Sequence, residues 1–539
     1  MKQLHTLDYI IFLFYFVVVA GYGYWIYHRK KHAEASTKDF FLAEGSLTWW
    51  AIGASLIASN ISAEQFIGMS GDGFKLGLAI STYEWMAAAT LIVVAVFFIP
   101  VYLKNNIYTM PQFLNQRYNK TVSLIMAIFW LALYILVNLT SILFLGALAV
   151  SGISGLSFTT CMIGLAVFAI LITLGGMKVI GYTDVIQVFF LVIGGLATTY
   201  LAVNLVANVF GTEGLVNGFR LMQEHHDDHF HMIFKKDNPY YMQLPGLTVL
   251  LGGMWIVNLN YWGCNQYITQ RALGADLKTA RNGILFAAFL KLLMPVIVTL
   301  PGIAAFALYS QGLYQQEMLG EDGTLLPDKA YPVLLSLLPA GLKGLSFAAL
   351  TAAVVASLAG KANSISTIFT LDIFKNYFAK NATEQQLVNI GRWVVVVSMV
   401  IAIIASPYMG IEKKGGFQFI QEMTGLLSPG IFASFIMGFF WKRTNSAGAL
   451  FAIVGGFLVA LLMHLNLFPF ADWSTVPFLD RMGWVFLICV TGMVILGYAL
   501  PDEKKGLEVD FKAFKTHREF TWGAAIVLAI IAFLYAYFW

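Results

Sequence analysis

The chain has 539 residues, of which 59% are hydrophobic and only 12% charged, and its mean hydropathy is +0.73. Soluble domains carry about 25% charged and about 45–50% apolar residues, so soluble, disordered and fibrous classes are excluded. A net charge of +4 is spread thinly, without the basic block that nucleic-acid binding needs.

A polytopic membrane protein remains. A helix needs about 20 mostly apolar residues to cross a bilayer. About fourteen segments qualify, near 8–27, 47–70, 76–103, 121–152, 156–175, 183–206, 243–264, 283–308, 342–372, 391–407, 417–441, 446–466, 482–500 and 520–538. The alternation of a membrane β-barrel is absent, so the expected fold class is all-α. The first run precedes its positive charges (HRKKH, 28–32), which reads as a retained helix and not as a signal peptide. With the N-terminus outside, inner loops hold about 21 Lys and Arg and outer segments about 10. The positive-inside rule therefore favours both termini outside.

Cys161, Cys264 and Cys489 lie in apolar stretches and read as small buried hydrophobes, with neither a disulfide framework nor a CxxC pair. An outer segment at 207–242 contains EHHDDHFH (224–231), expected as a solvated polar loop rather than a metal site. A second outer segment spans 309–341. No P-loop pattern GxxxxGK[ST] is present and no stretch is large enough for a soluble catalytic domain. No enzyme, no nucleic-acid ligand and no obligate protein partner is expected.

An ionisable residue within a span costs roughly 2.5–3.5 kcal/mol on insertion scales. Glu64, Glu84, Asp184, Lys291, Lys361 and Glu422 lie in or at spans. Each is either a helix-end or structural pair or a functional group. Span 2 carries ASNISAEQFIG (58–68) and span 7 carries VNLNYWGCNQ (257–266). Such residues compete for backbone hydrogen bonds, and a span so interrupted tends to unwind. Freed carbonyls can hold a cation, and freed N–H groups an anionic or hydroxyl group.

Spans 2 and 7 are five apart. Spans 2–6 and 7–11 then form two five-helix repeats of opposite topology, at 47–206 and 243–441, with 1–46 and 442–539 as peripheral helices of one transporter domain, 1–539. Aromatics flank the polar residues: Tyr83 and Trp85 beside Glu84, Tyr261 and Trp262 after Asn258, Phe417 and Phe419 before Gln421. Stacking combined with amide and carboxylate hydrogen bonds suits a sugar. One Lys and one Glu together balance a site for a neutral ligand.

At these residues the sequence resembles the solute:sodium symporter family, in its sodium/glucose branch. The matching stretches are SLTWWAIGASLIASNISAEQFIGMSG (46–71), YEWM (83–86), TDVIQVFFLV (183–192), NQYITQR (265–271), FAAFLK (286–291) and FQFIQEMTGLLSPGI (417–431). The resemblance implies fourteen helices, two inverted five-helix repeats and sodium-driven sugar uptake by alternating access. It implies sugar hydrogen bonds from Gln65, Glu84, Asn258, Lys291 and Gln421. Tyr261 would stack on the sugar and close the inner gate, with Met69, Tyr83 and Phe417 as the outer gate. Where bacterial galactose transporters of the branch have a sugar-touching serine, this chain has Ala87, which bears on epimer preference.

By the same resemblance, sodium would be held by carbonyls of Ala58, Ile61 and Ala353 and by two adjacent hydroxyls. Those two positions are Ala356 and Ser357, so one hydroxyl is missing. Residues 353, 357 and 361 share a helix face, and side chains lean toward the N-terminus, tipping Lys361 toward Ser357. Two unit positive charges about 4 Å apart repel by roughly 4 kcal/mol at an effective dielectric of 20. Asp184, matching a family acid near the exit route, is the expected partner of Lys361. Three readings stand. Lys361 replaces sodium in a facilitator or proton-coupled transporter, or it points elsewhere and sodium keeps fewer ligands, or the protein binds sugar without transport. A sugar sensor lacks an attached signalling domain here. A channel would need a continuous polar stripe or charged ring.

Overall fold

The computed structural model describes residues 4–29, 47–174, 176–320, 323–408, 416–500, 507 and 509–539. The basic run from Lys30 onward, Lys413, Lys414, Lys504 and Lys505 lie outside the described residues.

All fourteen expected intervals hold helix. Among the described residues ten helices are long and apolar enough to cross a membrane, and Gly416–Gly425 with Ser428–Phe440, bent by 49°, pass the same test as a pair. Three shorter helices, Trp49–Asn60, Phe158–Thr173 and Gly253–Gly263, fill the remaining intervals. Among the described residues no strand forms, and one bridge joins Leu319 to Leu325. Spans 2–6 and 7–11 each open on a broken helix. Five crossings per set reverse the sense of the second, so the core is a pair of inverted repeats.

The break in span 2 falls where the polar run lies. Trp49–Asn60 ends at Ile61, whose backbone is extended (φ −83°, ψ 112°), and helix resumes at Glu64. Local side chains take over the lost backbone bonds. Ser62 Oγ accepts from the Glu64 N–H at 3.1 Å, and Gln65 Oε1 accepts from the Ser62 N–H at 3.0 Å. Span 7 also breaks within its polar stretch: the helix Gly253–Gly263 ends as the chain turns at Cys264, and helix resumes at Gln266. Asn258, before that break, donates its amide to the Met254 carbonyl one turn back, at 3.1 Å, a bond that the continuous part of the helix accommodates.

Small residues bring span 8, within Leu277–Ser310, against the broken span 2. A Cβ on Gly53 would stand 2.6 Å from the Gly283 carbonyl oxygen, and one on Gly302 would stand 2.0 Å from that of Ser70. Such contacts let backbones approach where apolar burial gives no drive between helices. They set Lys291 beside the break.

Three arginines expected in inner loops are buried instead: Arg117, Arg271 and Arg281. Arg117 donates to the carbonyls of Gly438 (3.0 Å), Trp441 (3.1 Å) and Thr444 (2.9 Å). Arg281 does so to Ala95 (3.0 Å) and Ala513 (2.6 Å). The carbonyls that Arg117 meets sit at or near the end of the helix Ser428–Phe440, where a cation is favoured. The His-rich segment, expected as a solvated loop, is docked rather than free in solvent. His229 is buried and stacks on Phe306 (centroids 3.9 Å, 17°). Gly77 (φ +71°) makes room for it, since a Cβ there would lie 2.3 Å from the His229 carbonyl oxygen. Among the described residues no group of three or more His, Cys, Asp or Glu is placed to hold a metal. All three cysteines are free and buried.

Candidate functional site

The helices of spans 2, 3, 4, 7, 8, 9 and 11 line one cavity. Gln65, Glu84, Asn258, Tyr261, Lys291 and Gln421 all line it. Lys291 Nζ lies 2.5 Å from Glu84 Oε2, both side chains being almost fully buried. Lys291 also donates to Asn60 Oδ1 and sits 5.2 Å from the Trp262 ring centroid. Asn60 in turn donates to the Tyr261 hydroxyl at 2.9 Å, and the Tyr267 hydroxyl donates to the same oxygen. A buried polar chain therefore runs from Glu84 through Lys291, Asn60 and Tyr261 to Tyr267. An ion pair kept in an apolar setting needs such extra hydrogen bonds to offset desolvation.

Tyr83 and Phe417 meet edge-on on one side of the cavity, with centroids 5.0 Å apart. Gly68 lets the two helices close: a Cβ there would be 2.8 Å from the Phe417 backbone nitrogen. Met69 is fully buried next to it but does not line the cavity. The Asp328 carboxylate accepts the Gly416 N–H at 3.0 Å, which anchors the start of the helix that carries Phe417.

The second cluster sits at the break. Ser357 Oγ is within hydrogen-bonding reach of the carbonyls of Ala58 (3.2 Å), Ser59 (3.0 Å) and Ile61 (3.3 Å). Ala353 and Ala356 are buried on the same helix. Asp184 is not the partner of Lys361. Its Oδ2 accepts from Ser55 Oγ at 2.5 Å and stands 3.9 Å from Arg271, while Arg271 Nε donates to Ser55 Oγ at 2.8 Å. The preformed guanidinium takes the carboxylate that sequence reasoning assigned to the lysine. Lys361 Nζ instead lies 3.5 Å from Glu64 Oε1 and 5.2 Å from the Tyr267 ring centroid, and both Lys361 and Glu64 line the cavity.

Residues 40–456 match the model of the sodium:solute symporter family. The chain belongs to that family. Among its members, the sodium/glucose cotransporter of Vibrio parahaemolyticus is 46% identical over 99% of both chains. The human sodium/myo-inositol cotransporter 2 is 33% identical over 86% of this chain and 70% of its own length. Among solved structures, a Na+-coupled sialic acid symporter in its substrate-bound outward-open state superposes with a TM-score of 0.79 at 20% identity, covering 94% of this chain and 100% of that one. Mhp1, a nucleobase-cation-symport-1 transporter in a closed form with bromovinylhydantoin bound, gives 0.52 at 14% identity over 88% and 98%. The two structural likenesses concern the fold alone.

Asn60, Tyr267 and Arg271, hydrogen-bonded into these two clusters, are not among the site residues expected from the sequence. Asn60 lies inside the polar run, and Tyr267 and Arg271 inside a matching stretch, but adjacency along the chain does not reveal these contacts. Ala87 does line the cavity.

Proposed function

We propose that the chain is a sodium-coupled symporter of a neutral monosaccharide such as glucose or galactose, working by alternating access. The observation that carries this reading is the Glu84–Lys291 pair in a cavity wall, a charge-balanced clamp for hydroxyl groups. The names of the sodium/glucose and sodium/myo-inositol relatives support a sodium-driven polyol substrate.

Gln65, Glu84, Asn258, Lys291 and Gln421 hydrogen-bond the sugar, and Tyr261 stacks against it and closes the inner side. Met69, Tyr83 and Phe417 form the outer gate. Sodium is a co-substrate bound by the carbonyls of Ala58, Ile61 and Ala353 and by the Ser357 hydroxyl, with no second hydroxyl at Ala356. The Asp184–Ser55–Arg271 cluster lies beside the ion's inner exit. The repeats, 47–206 and 243–441, rock against each other around this centre, and both chain termini face outward. Sodium drives uptake only by binding the outward-open form more tightly.

Purified protein in proteoliposomes tests this. Radiolabelled glucose and galactose should accumulate under an inward sodium gradient and not under equal potassium or pH gradients. Equilibrative uptake indifferent to sodium would overturn the coupling.

A further inference from the structure

We propose that Glu64 and Lys361 form a second polar clamp that touches the transported ligand and sets which hydroxyl pattern is accepted. The proposal rests on the sugar-binding reading above and adds a specificity-determining pair to it.

The two pairs in the cavity wall differ in how well they are satisfied. Lys291 has Glu84 at 2.5 Å and Asn60 as a second acceptor. Lys361 has Glu64 Oε1 at 3.5 Å, the outer limit of a hydrogen bond. An ammonium carries three donors and a carboxylate about four lone-pair sites. Most of that capacity is unused in a pair that is nevertheless buried, with Lys361 3% and Glu64 11% exposed. A loosely satisfied buried pair regains little of its desolvation cost. A ligand hydroxyl, accepting from the ammonium and donating to the carboxylate, completes both.

The position fits a ring-shaped polyol. Tyr261 stands between the clamps: its hydroxyl accepts from Asn60, which also binds Lys291, and from Tyr267, whose ring lies under Lys361. A pyranose or cyclitol stacked on Tyr261 presents hydroxyls on opposite edges, one to each clamp. Two ammonium and two carboxylate groups keep the cavity neutral, which selects against charged ligands. The carbonyls of the break face Ser357, and the Lys361 ammonium donates to Glu64 instead of to them.

The test uses sodium-driven uptake by the reconstituted full chain, with D-glucose and its 2-, 3-, 4- and 6-deoxy analogues, in wild type, Lys361→Met and Glu64→Gln. Lys361→Met should raise the half-saturation for glucose by about tenfold, the loss of a hydrogen bond to a charged group, while shifting one deoxy analogue and sodium by no more than about twofold. Glu64→Gln should single out the same analogue. Should Lys361→Met misfold, Glu64→Gln alone still reads the pattern. Wild-type discrimination in the folded variants overturns the proposal. So does a shift in sodium half-saturation with all sugars scaling together, which assigns the pair to the ion site. Absence of sugar uptake in wild type itself sinks the parent reading, and this one with it.

Discussion

Ser357 donates its hydroxyl to the carbonyl of Ser59 at 3.0 Å, across the interface between span 9 and the break in span 2. The carbonyls of Ala58 and Ile61 lie only 0.2–0.3 Å farther, at 3.2 and 3.3 Å. One hydroxyl, with a single proton, faces three oxygens left without helix partners. In the sodium site proposed above, Ser357→Ala should raise the half-saturation for sodium by about tenfold or more, since one proposed oxygen ligand is lost. Ala356→Ser, by adding a hydroxyl, should lower it. Sodium titration of sugar uptake reads both, and unchanged values in both variants would remove the cation site from this break.

Glu84→Gln leaves Lys291 buried with only Asn60 as a strong partner. Breaking a buried pair from one side costs about 3–5 kcal/mol. Uptake should fall to background and the melting temperature in detergent should drop. The double variant Glu84→Gln/Lys291→Met should regain the melting temperature and not the uptake. A double variant that transports would disprove the clamp.

Arg271 and Asp184 are each 1% exposed and joined through Ser55. Arg271→Lys should therefore behave as a severe change: a lysine lacks the fork that reaches Ser55 and Tyr267 together. Thermal unfolding should show a loss of roughly 3–5 kcal/mol for Asp184→Ala, which strands the guanidinium. A silent Arg271→Lys would contradict this.

How far the sequence reached depends on separation along the chain. Span limits were readable because each is a run of about 20 apolar residues. The break in span 2 was readable because Ser59, Asn60 and Ser62 are adjacent. The break in span 7, at Cys264, falls inside the polar run 257–266, but its place within that run is not readable, because Asn258 spends its amide on its own helix, which composition does not reveal. The partner of Lys361 was misread for a different reason. Helix lean describes Ser357, four residues away, whereas Glu64 is 297 positions distant. The competitor for Asp184, Arg271, enters from another helix altogether.

Outside the spans, Asp328 provides a pH test. Burial raises its carboxyl from 3.8 to about 6, against opposing pulls from the Gly416 N–H and Lys75. The folded protein then binds this proton more tightly than the unfolded chain. Its contribution favours folding at low pH and is lost as pH rises through about 6. Asp328→Asn should flatten the fall in melting temperature between about pH 4 and 6.5. Parallel profiles for the two proteins would refute that assignment.

Gly77→Ala tests the docked His-rich segment. The backbone there has φ +71° and ψ −149°, a region costing a non-glycine residue about 1–3 kcal/mol. The added methyl also meets the His229 carbonyl. Faster proteolysis within 224–231 should follow, and wild-type protection would argue against the packing.

The stretch 58–65 around the interruption serves two neighbourhoods at once, the carbonyls of Ala58, Ser59 and Ile61 facing Ser357 and Gln65 lining the cavity. A shared element of this kind imposes reciprocity. Whatever factor sodium contributes to sugar affinity, sugar must return to sodium affinity, because both are one coupling free energy read from opposite ends.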